Sequence, residues 1–310
     1  MIPAMNETVS EEFRPLVDAI ESHLLGKRRV ITLALATFFA RGHLLLEDIP
    51  GVGKTMLAKS FARVLGLEFG RIQFTSDLLP SDIIGVSYYD SAAGEFRLKK
   101  GPLFTPFLLA DEINRSMPKT QSALLEAMEE GQVTIDGHPY PLPEPFFVIA
   151  TQNPREEAGT FPLPHSQLDR FLCSFGIGYP DPEAERQVLR GEAFRKREEL
   201  PQAEPQQVME WRRRAEAVRL DEAMLDYLQE LIARTRESGR FHYGLSTRGA
   251  GALAAMTRAW AMLQGRDYAI PEDLQAVAGE VCVHRLRFRE GATTVERIRR
   301  ELLEDLSPEF

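Results

Sequence analysis

Lys54 and Thr55 close the run Asp48-Ile49-Pro50-Gly51-Val52-Gly53-Lys54-Thr55, where an ammonium and a hydroxyl follow two glycines. That combination suits the holding of a polyphosphate. Gly51 and Gly53 let the backbone turn its amides toward phosphate oxygens, where a Cβ would intrude. Lys54 can reach the β- and γ-phosphates, and the Thr55 hydroxyl can ligate Mg²⁺. A helix beginning here adds its positive dipole end. One position departs from the pattern G-x-x-x-x-G-K-[ST]: Asp48 stands where the first glycine belongs.

A phosphate loop that hydrolyses its ligand needs acids at a second strand end. Phe107-Leu108-Leu109-Ala110-Asp111-Glu112 supplies four apolar residues and then two carboxylates. Asp111 would hold Mg²⁺ through water, and Glu112 would orient and activate the attacking water. The competing interpretation is an acidic cap on the following helix. Asn153, just past the apolar run Phe146 to Thr151, would approach the γ-phosphate if its strand is parallel to the first. Its alternative is a plain Asn-Pro turn. Arg170, in Gln167-Leu168-Asp169-Arg170-Phe171, could supply transition-state charge to a neighbouring subunit. Its alternative is a salt bridge with Asp169 or Glu112. Arg248 opens a helix that Ser246 or Thr247 can cap. A cation there opposes the dipole unless an anion lies close, which a bound γ-phosphate would provide.

These groups need a layered scaffold to bring them together. Leu44-Leu45-Leu46 precedes the loop, and Leu57, Phe61, Val64 and Leu65 follow it on one helix face. Further buried strands are expected at Gly70 to Thr75, Phe107 to Ala110, Phe146 to Thr151 and Leu172 to Ile177. Lys119 to Glu130 has helical spacing and stops at Gly131. Residues 133–140 alternate around Asp136-Gly137, a hairpin signal. After Tyr179-Pro180-Asp181-Pro182 the pattern turns helical, with another helix start at Ile270-Pro271-Glu272-Asp273. Arg195 to Gln207 is polar and is expected as a solvated turn. The expectation is α/β: a parallel sheet flanked by helices over residues 1–179, then a smaller all-helical lid over 180–310.

Composition excludes several classes. The chain has 310 residues, 44% of them hydrophobic and 27% charged, as in an ordinary soluble protein. Its longest apolar run, Val30 to Ala40, is too short to span a membrane, and the acidic N-terminus lacks a signal core. A cytoplasmic protein is expected. Cys173 and Cys282 are expected as buried hydrophobes, not a disulfide or metal pair. A net charge of −9 weighs against a nucleic-acid coat. His165-Ser166 with Asp169 resembles scattered parts of a hydrolytic triad, but the nucleophile elbow is missing.

Taken together, these segments resemble a MoxR-type AAA+ ATPase of the helix-2-insert clade. The likeness runs from about Gly26 to Leu286. It rests on Leu46 to Thr55, Phe74 to Asp82, Leu109 to Arg115, Lys119 to Gly137, Phe146 to Phe171, Ser246-Thr247-Arg248 and Gly265-Arg266-Asp267-Tyr268. The resemblance implies ATP and Mg²⁺ as cofactors and makes Asp48 a tolerated variant. It assigns Asp111 and Glu112 to Walker B, Asn153 to sensor 1, Arg170 to the arginine finger and Arg248 to sensor 2. The implied nucleotide contacts are Gly26, Gly51, Val52, Gly53, Lys54, Thr55 and Met56, with Thr55 and Asp111 at the metal. Lys27 replaces the glutamine usual after Gly26, and Arg155 stands where an apolar residue is expected. The helix-2 insertion would be Gly85 to Leu98, with Tyr88, Tyr89 and Phe96. The hairpin at 133–140 would be the pre-sensor-1 insertion, and both would face the axis of a ring.

The function so implied is a hexameric ring ATPase. It would remodel or mature protein clients as a chaperone, with a von Willebrand factor A-domain partner. One rival is an ATP-gated scaffold for which hydrolysis is dispensable. Another is a nucleic-acid motor, for which Arg97, Lys99 and Lys100 are the candidate basic patch.

Overall fold

The computed structural model of the chain describes residues 9–153, 159–190 and 202–303. Helices α1 (Arg14–Glu21) and α2 (Arg28–Phe39) lead into strand β1 (Leu44–Glu47), the glycine loop and α3 (Lys54–Val64). Next come β2 (Phe69–Gln73), the short α4 (Pro80–Ile84), a hairpin of β3 (Gly85–Asp90) and β4 (Glu95–Lys100), and β5 (Phe107–Asp111). Helix α5 (Pro118–Glu130) is followed by a second hairpin, β6 (Gln132–Ile135) and β7 (His138–Pro141). Strand β8 (Phe147–Gln152), α6 (His165–Leu168) and β9 (Cys173–Phe175) complete the α/β part. The described elements beyond it are helices: α7 (Pro182–Leu189), α8 (Pro205–Ala217), α9 (Glu222–Glu237), α10 (Thr247–Leu263), α11 (Pro271–Cys282) and α12 (Val295–Leu303).

The central sheet is parallel throughout, in the order β2-β5-β8-β1-β9. Its apolar runs are continuous because both faces are covered. Successive side chains alternate between two cores. Leu44, Leu46, Phe107, Leu109, Phe147 and Ile149 face one core, with α2, α3 and the lid. Leu45, Leu108, Ala110, Val148 and Ala150 face the other, with α4, α5 and the β6–β7 hairpin. In the first core Phe147 packs edge-on to Phe38 and tilted against Phe107, both at 5.3 Å between ring centroids.

The strands expected from the sequence are all present, with ends moved by one or two residues. Helix α5 begins one residue earlier than expected, at Pro118, and Gly131 closes it with φ 63°. Asp136 and Gly137 make the expected turn with φ 50° and 77°, the pairing of positive angles a tight hairpin needs. The stretch expected as a turn over Arg195 to Gln207 lies partly outside the described residues. The expectation also overshoots, because α8 already begins at Pro205. The position of Arg155 is outside the described residues as well.

The helical part packs into the first core and is not separate from it. Phe13 of the N-terminal segment meets Trp211 of α8 at 5.3 Å. Glu280 of α11, nearly buried, pairs with Arg29 of α2 at 2.9 Å and with Arg299 of α12. Cys173 and Cys282 are buried and unpaired, as expected. Burial pushes the Cys173 thiol up and the Cys282 thiol up to about 12. Among the described residues no helix is long and apolar enough to cross a membrane.

Candidate active site

Strand β1 ends at Glu47 and α3 begins at Lys54, so residues 48–53 join a strand's C-terminal end to a helix N-terminus. Gly51 and Gly53 take φ 86° and 97°, a left-handed backbone that L side chains resist. A Cβ on Gly53 would also stand 2.8 Å from Leu24 Cδ1. Lys54, Thr55 and Met56 form the first turn of α3, where helix amides lack internal acceptors.

Asp48 has no positive φ, so glycine is not required there. Its carboxylate points out of the loop. Oδ1 accepts the Ile49 N–H at 2.8 Å and Oδ2 accepts the Gly178 N–H at 2.6 Å. The departure from the glycine pattern therefore ties the loop to the segment entering the lid. The Lys54 ammonium donates to Asp48 O at 2.5 Å. Burial lowers its pKa, and the charges of Asp48, Asp111 and Glu112 oppose that shift. One cation thus senses all three carboxylates.

The two acids are held by Thr151 of β8. Its Oγ1 donates to Asp111 Oδ1 at 2.7 Å and accepts the Glu112 N–H at 2.9 Å. Glu112 has φ 57° and ψ 49°, a left-handed conformation uncommon for a residue with a Cβ. Its carboxylate accepts from Gln73 Nε2 at 2.8 Å and lies 3.4 Å from Arg115 Nε. The outer oxygen of Asp111 accepts from Arg71 Nη2 at 2.7 Å. Glu112 leads into a short 3₁₀ turn (Ile113–Arg115), but its side chain makes no cap there, so the acidic-cap alternative fails. Asn153 follows β8 directly, and β8 pairs with β1 through Gln152 and Glu47. The amide is thus at the strand end that carries the loop.

Gly26 takes φ 69°, and a Cβ there would fall 2.6 Å from Asp181 Oδ2. It sits between α1 and α2, against the entry to the lid. Lys27 donates to Tyr179 O at 2.6 Å. Burial lowers its pKa, against the charges of Asp181 and Asp48.

Arg170 and Arg248 are at the opposite end of the sheet's strands. Both pair with Glu129, near the end of α5: Arg170 Nη2 at 3.1 Å from Oε2, and Arg248 Nη2 on Oε1. They line one open cavity with Arg41, Gly42 and His43, which enter β1, and Leu172, which enters β9. Strands rise about 3.3 Å per residue, so the length of β1 separates this cluster from the phosphate loop. Two expectations need correction. The salt-bridge partner of Arg170 is neither Asp169 nor Glu112. The anion beside Arg248 is the Glu129 carboxylate, and no γ-phosphate of its own loop is needed to account for it. Ser246, of the two candidates, caps α10, its Oγ accepting the Gly249 N–H at 2.9 Å.

Gln73, Arg71, Thr151 and Glu129 have no local signature in the sequence. The roles of the first three come from register, since β2 pairs Gln73 with Asp111 and β8 runs beside β5, whereas Glu129 is placed by the end of α5. Within the candidate basic patch near the first hairpin, only Arg97 is held by carboxylates among the described residues. Arg97 pairs with Asp90 and Glu95, both at 3.0 Å, and Lys100 lies 5.0 Å above the Phe104 ring. Tyr89 and Phe96 on the same hairpin are 58% and 75% exposed, leaving it an aromatic surface.

These residues fit a nucleoside triphosphate with Mg²⁺: a left-handed glycine loop, a lysine among carboxylates, and a hydroxyl at a helix start. Mg²⁺ in such sites takes few protein ligands and several from phosphate and water. Residues 43–173 match the model described as an ATPase family associated with various cellular activities (AAA), and residues 233–303 match an AAA lid domain. The chain is 39% identical over 305 residues to Chaperone MoxR1 of Mycobacterium tuberculosis, covering 93% of this chain and 76% of that protein. The chain belongs to the MoxR family of AAA+ ATPases. Protein MoxR of Methylorubrum extorquens is 32% identical over 293 residues, with 86% of this chain and 85% of that one covered. YeaC of Bacillus subtilis, an uncharacterized protein, is 46% identical over 290 residues, 91% of this chain and 90% of that one. A crystal structure of a protein assigned as an ATPase from Cytophaga hutchinsonii superposes with a TM-score of 0.86 at 38% identity. It covers 96% of this chain and 94% of that one. In this MoxR-family ATPase the nucleotide loop and the arginine pair therefore occupy opposite ends of one parallel sheet.

Proposed function

We propose that the chain is a subunit of a ring-forming, hexameric ATPase that hydrolyses Mg·ATP to remodel or mature protein clients. The carrying observation is the separation of Arg170 and Arg248 from Lys54, Asp111 and Glu112. An arginine pair at the far end of the strands serves a nucleotide only if a second subunit presents one. Repeating such a head-to-tail contact closes a ring when its rotation divides a full turn, as the proposed hexamer requires. The nucleotide-binding part is taken as residues 1–179 and the lid as 180–310.

In this mechanism the amides of Gly51, Val52, Gly53 and Met56 cradle phosphate oxygens, and Lys54 neutralises them. Gly26 lies against the base. Bound Mg²⁺, held by Thr55 and Asp111, would neutralise charge on the phosphates. Glu112 accepts the proton of the attacking water, held in register by Thr151 and Gln73. Asn153 orients that water. Arg170 and Arg248 reach the next subunit's γ-phosphate and stabilise charge there, leaving Glu129 to do so. Exposed Tyr88, Tyr89 and Phe96 favour a protein client, contacted from the ring axis together with the 133–140 hairpin. A partner with a von Willebrand factor A domain is proposed from the family resemblance alone. The buried, unpaired thiols suit a reducing cytoplasm.

The test is steady-state ATPase activity of the wild type and of Glu112→Gln. Turnover should fall at least about a hundredfold in the variant. Equal background rates in both would defeat the proposal.

A further inference from the structure

The segment that carries Arg170 is gripped by the lid. The Arg285 side chain is 3% exposed, and its N–H donors are fully used. Nε donates to Asp169 Oδ1 at 2.7 Å, Nη1 to Leu172 O at 3.0 Å, and Nη2 to Asp169 O at 3.2 Å. The remaining two N–H groups go to Phe171 O and to Val281 O of α11. All but one of these acceptors flank Arg170. The neighbouring His284 adds Nε2 to Phe171 O at 2.9 Å.

The same carboxylate reaches Arg248. Asp169 Oδ2 accepts from Ser246 Oγ at 2.8 Å, and Ser246 caps the helix whose first turn bears Arg248. Asp169 therefore joins Arg285 to the cap of α10, and both arginines converge on Glu129. Burying a guanidinium is costly, and burial lowers the Arg285 pKa although Asp169 opposes the shift. A lysine offers three donors from one point and cannot reproduce a planar fork of five.

We propose that Arg285 is a positioning residue for the two trans arginines. It fixes the Asp169–Leu172 backbone so that Arg170 points outward, and it couples Arg170 through Asp169 and Ser246 to Arg248. This rests on the proposed action of Arg170 at a neighbouring subunit. A displacement of about 1 Å at such a group lowers turnover by about a hundredfold without touching the nucleotide's own pocket.

The experiment compares full-length Arg285→Lys, Arg170→Ala and Glu112→Gln, alone and in equal mixtures, for Mg·ATP turnover and for binding of a fluorescent ATP analogue. Arg285→Lys should turn over at least about tenfold more slowly than wild type while binding the analogue within about twofold. Mixed with Glu112→Gln, which keeps intact arginines, it should recover toward about a quarter of the wild-type rate. That is the share of interfaces pairing a good site with a good finger in a randomly mixed ring. Mixed with Arg170→Ala it should not recover, because both chains lack a positioned finger. A structural defect would not be rescued so selectively. Wild-type turnover in Arg285→Lys would overturn the proposal. So would failure to recover with Glu112→Gln while Arg170→Ala does recover. Failure of Arg285→Lys and of Arg170→Ala alike to recover with Glu112→Gln would remove the trans role of Arg170, and this inference with it. If Arg285→Lys does not fold, Asp169→Asn, which keeps the shape and removes the charge, is judged by the same mixtures.

Discussion

Thr151 holds the two acids in one frame, since a single hydroxyl serves the Asp111 carboxylate and the Glu112 amide. Thr151→Val keeps the shape and removes both bonds. It should lower the turnover number roughly tenfold to a hundredfold while ATP-analogue affinity changes much less. An unchanged turnover number would show that the acids need no such support. His43 gives a second prediction. It is buried, its Nε2–H donating to Met128 O at 3.1 Å and its Nδ1 accepting the Val148 N–H at 3.0 Å. Burial lowers its pKa from 6.5 to about 4, and the positive charge of Arg212 adds to the shift. Between these values the unfolded chain binds more protons than the folded one, so stability is full above 6.5 and is lost as pH falls through 4. This group alone contributes about 3 kcal/mol to that loss. Urea unfolding at pH 7.5 and pH 4.5 should register it, and His43→Gln should flatten the dependence. Lys54, Asp111 and Glu112 are legible in the sequence because loop and strand-end motifs are local. Thr151 and Gln73 are not, because a polar residue within an apolar strand takes its role only from the neighbour beside it.

At the scale of elements, periodicity and punctuation carry the signal. Continuous apolar runs marked β1, β5 and β8, and Gly131 and Asp136-Gly137 marked a helix end and a turn. The first hairpin was less legible. Tyr88, Tyr89 and Phe96 read as an insertion only through resemblance, since exposed aromatics look like core in a sequence. In the lid, Ile270 to Asp273 is a helix start, and the Asp273 carboxylate does more than cap. Asp273 Oδ2 accepts the Ile270 N–H at 2.9 Å, and both oxygens pair with Arg266 at 2.5 Å. The Asp273 side chain is nearly buried, so Asp273→Ala leaves the guanidinium without its partner. Unfolding free energy should fall by about 3 kcal/mol in a urea titration. A loss below about 1 kcal/mol would mean that solvent takes over the pairing.

At the scale of the molecule, the lid and the sheet share a hydrophobic core and are cross-tied by Arg29–Glu280 and Arg285–Asp169. The whole chain therefore presents a phosphate site at one end of the sheet and an arginine pair at the other. Both arginines are legible in the sequence but their distance from the loop is not, because Arg170 is placed by the direction in which β9 runs beside β1 and Arg248 by where the lid docks. In the proposed ring, a site divided in this way makes turnover depend on assembly. The specific ATPase rate should rise with protein concentration, then level off. A rate flat across dilution, with the chain monomeric by light scattering, would contradict the account. The most direct measurement mixes Arg170→Ala with Glu112→Gln in equal amounts. Each alone should be nearly inactive, and together they should recover toward about a quarter of the wild-type rate as intact arginines meet intact acids across interfaces. A mixture no faster than the mean of its components would contradict a site completed by the neighbouring subunit.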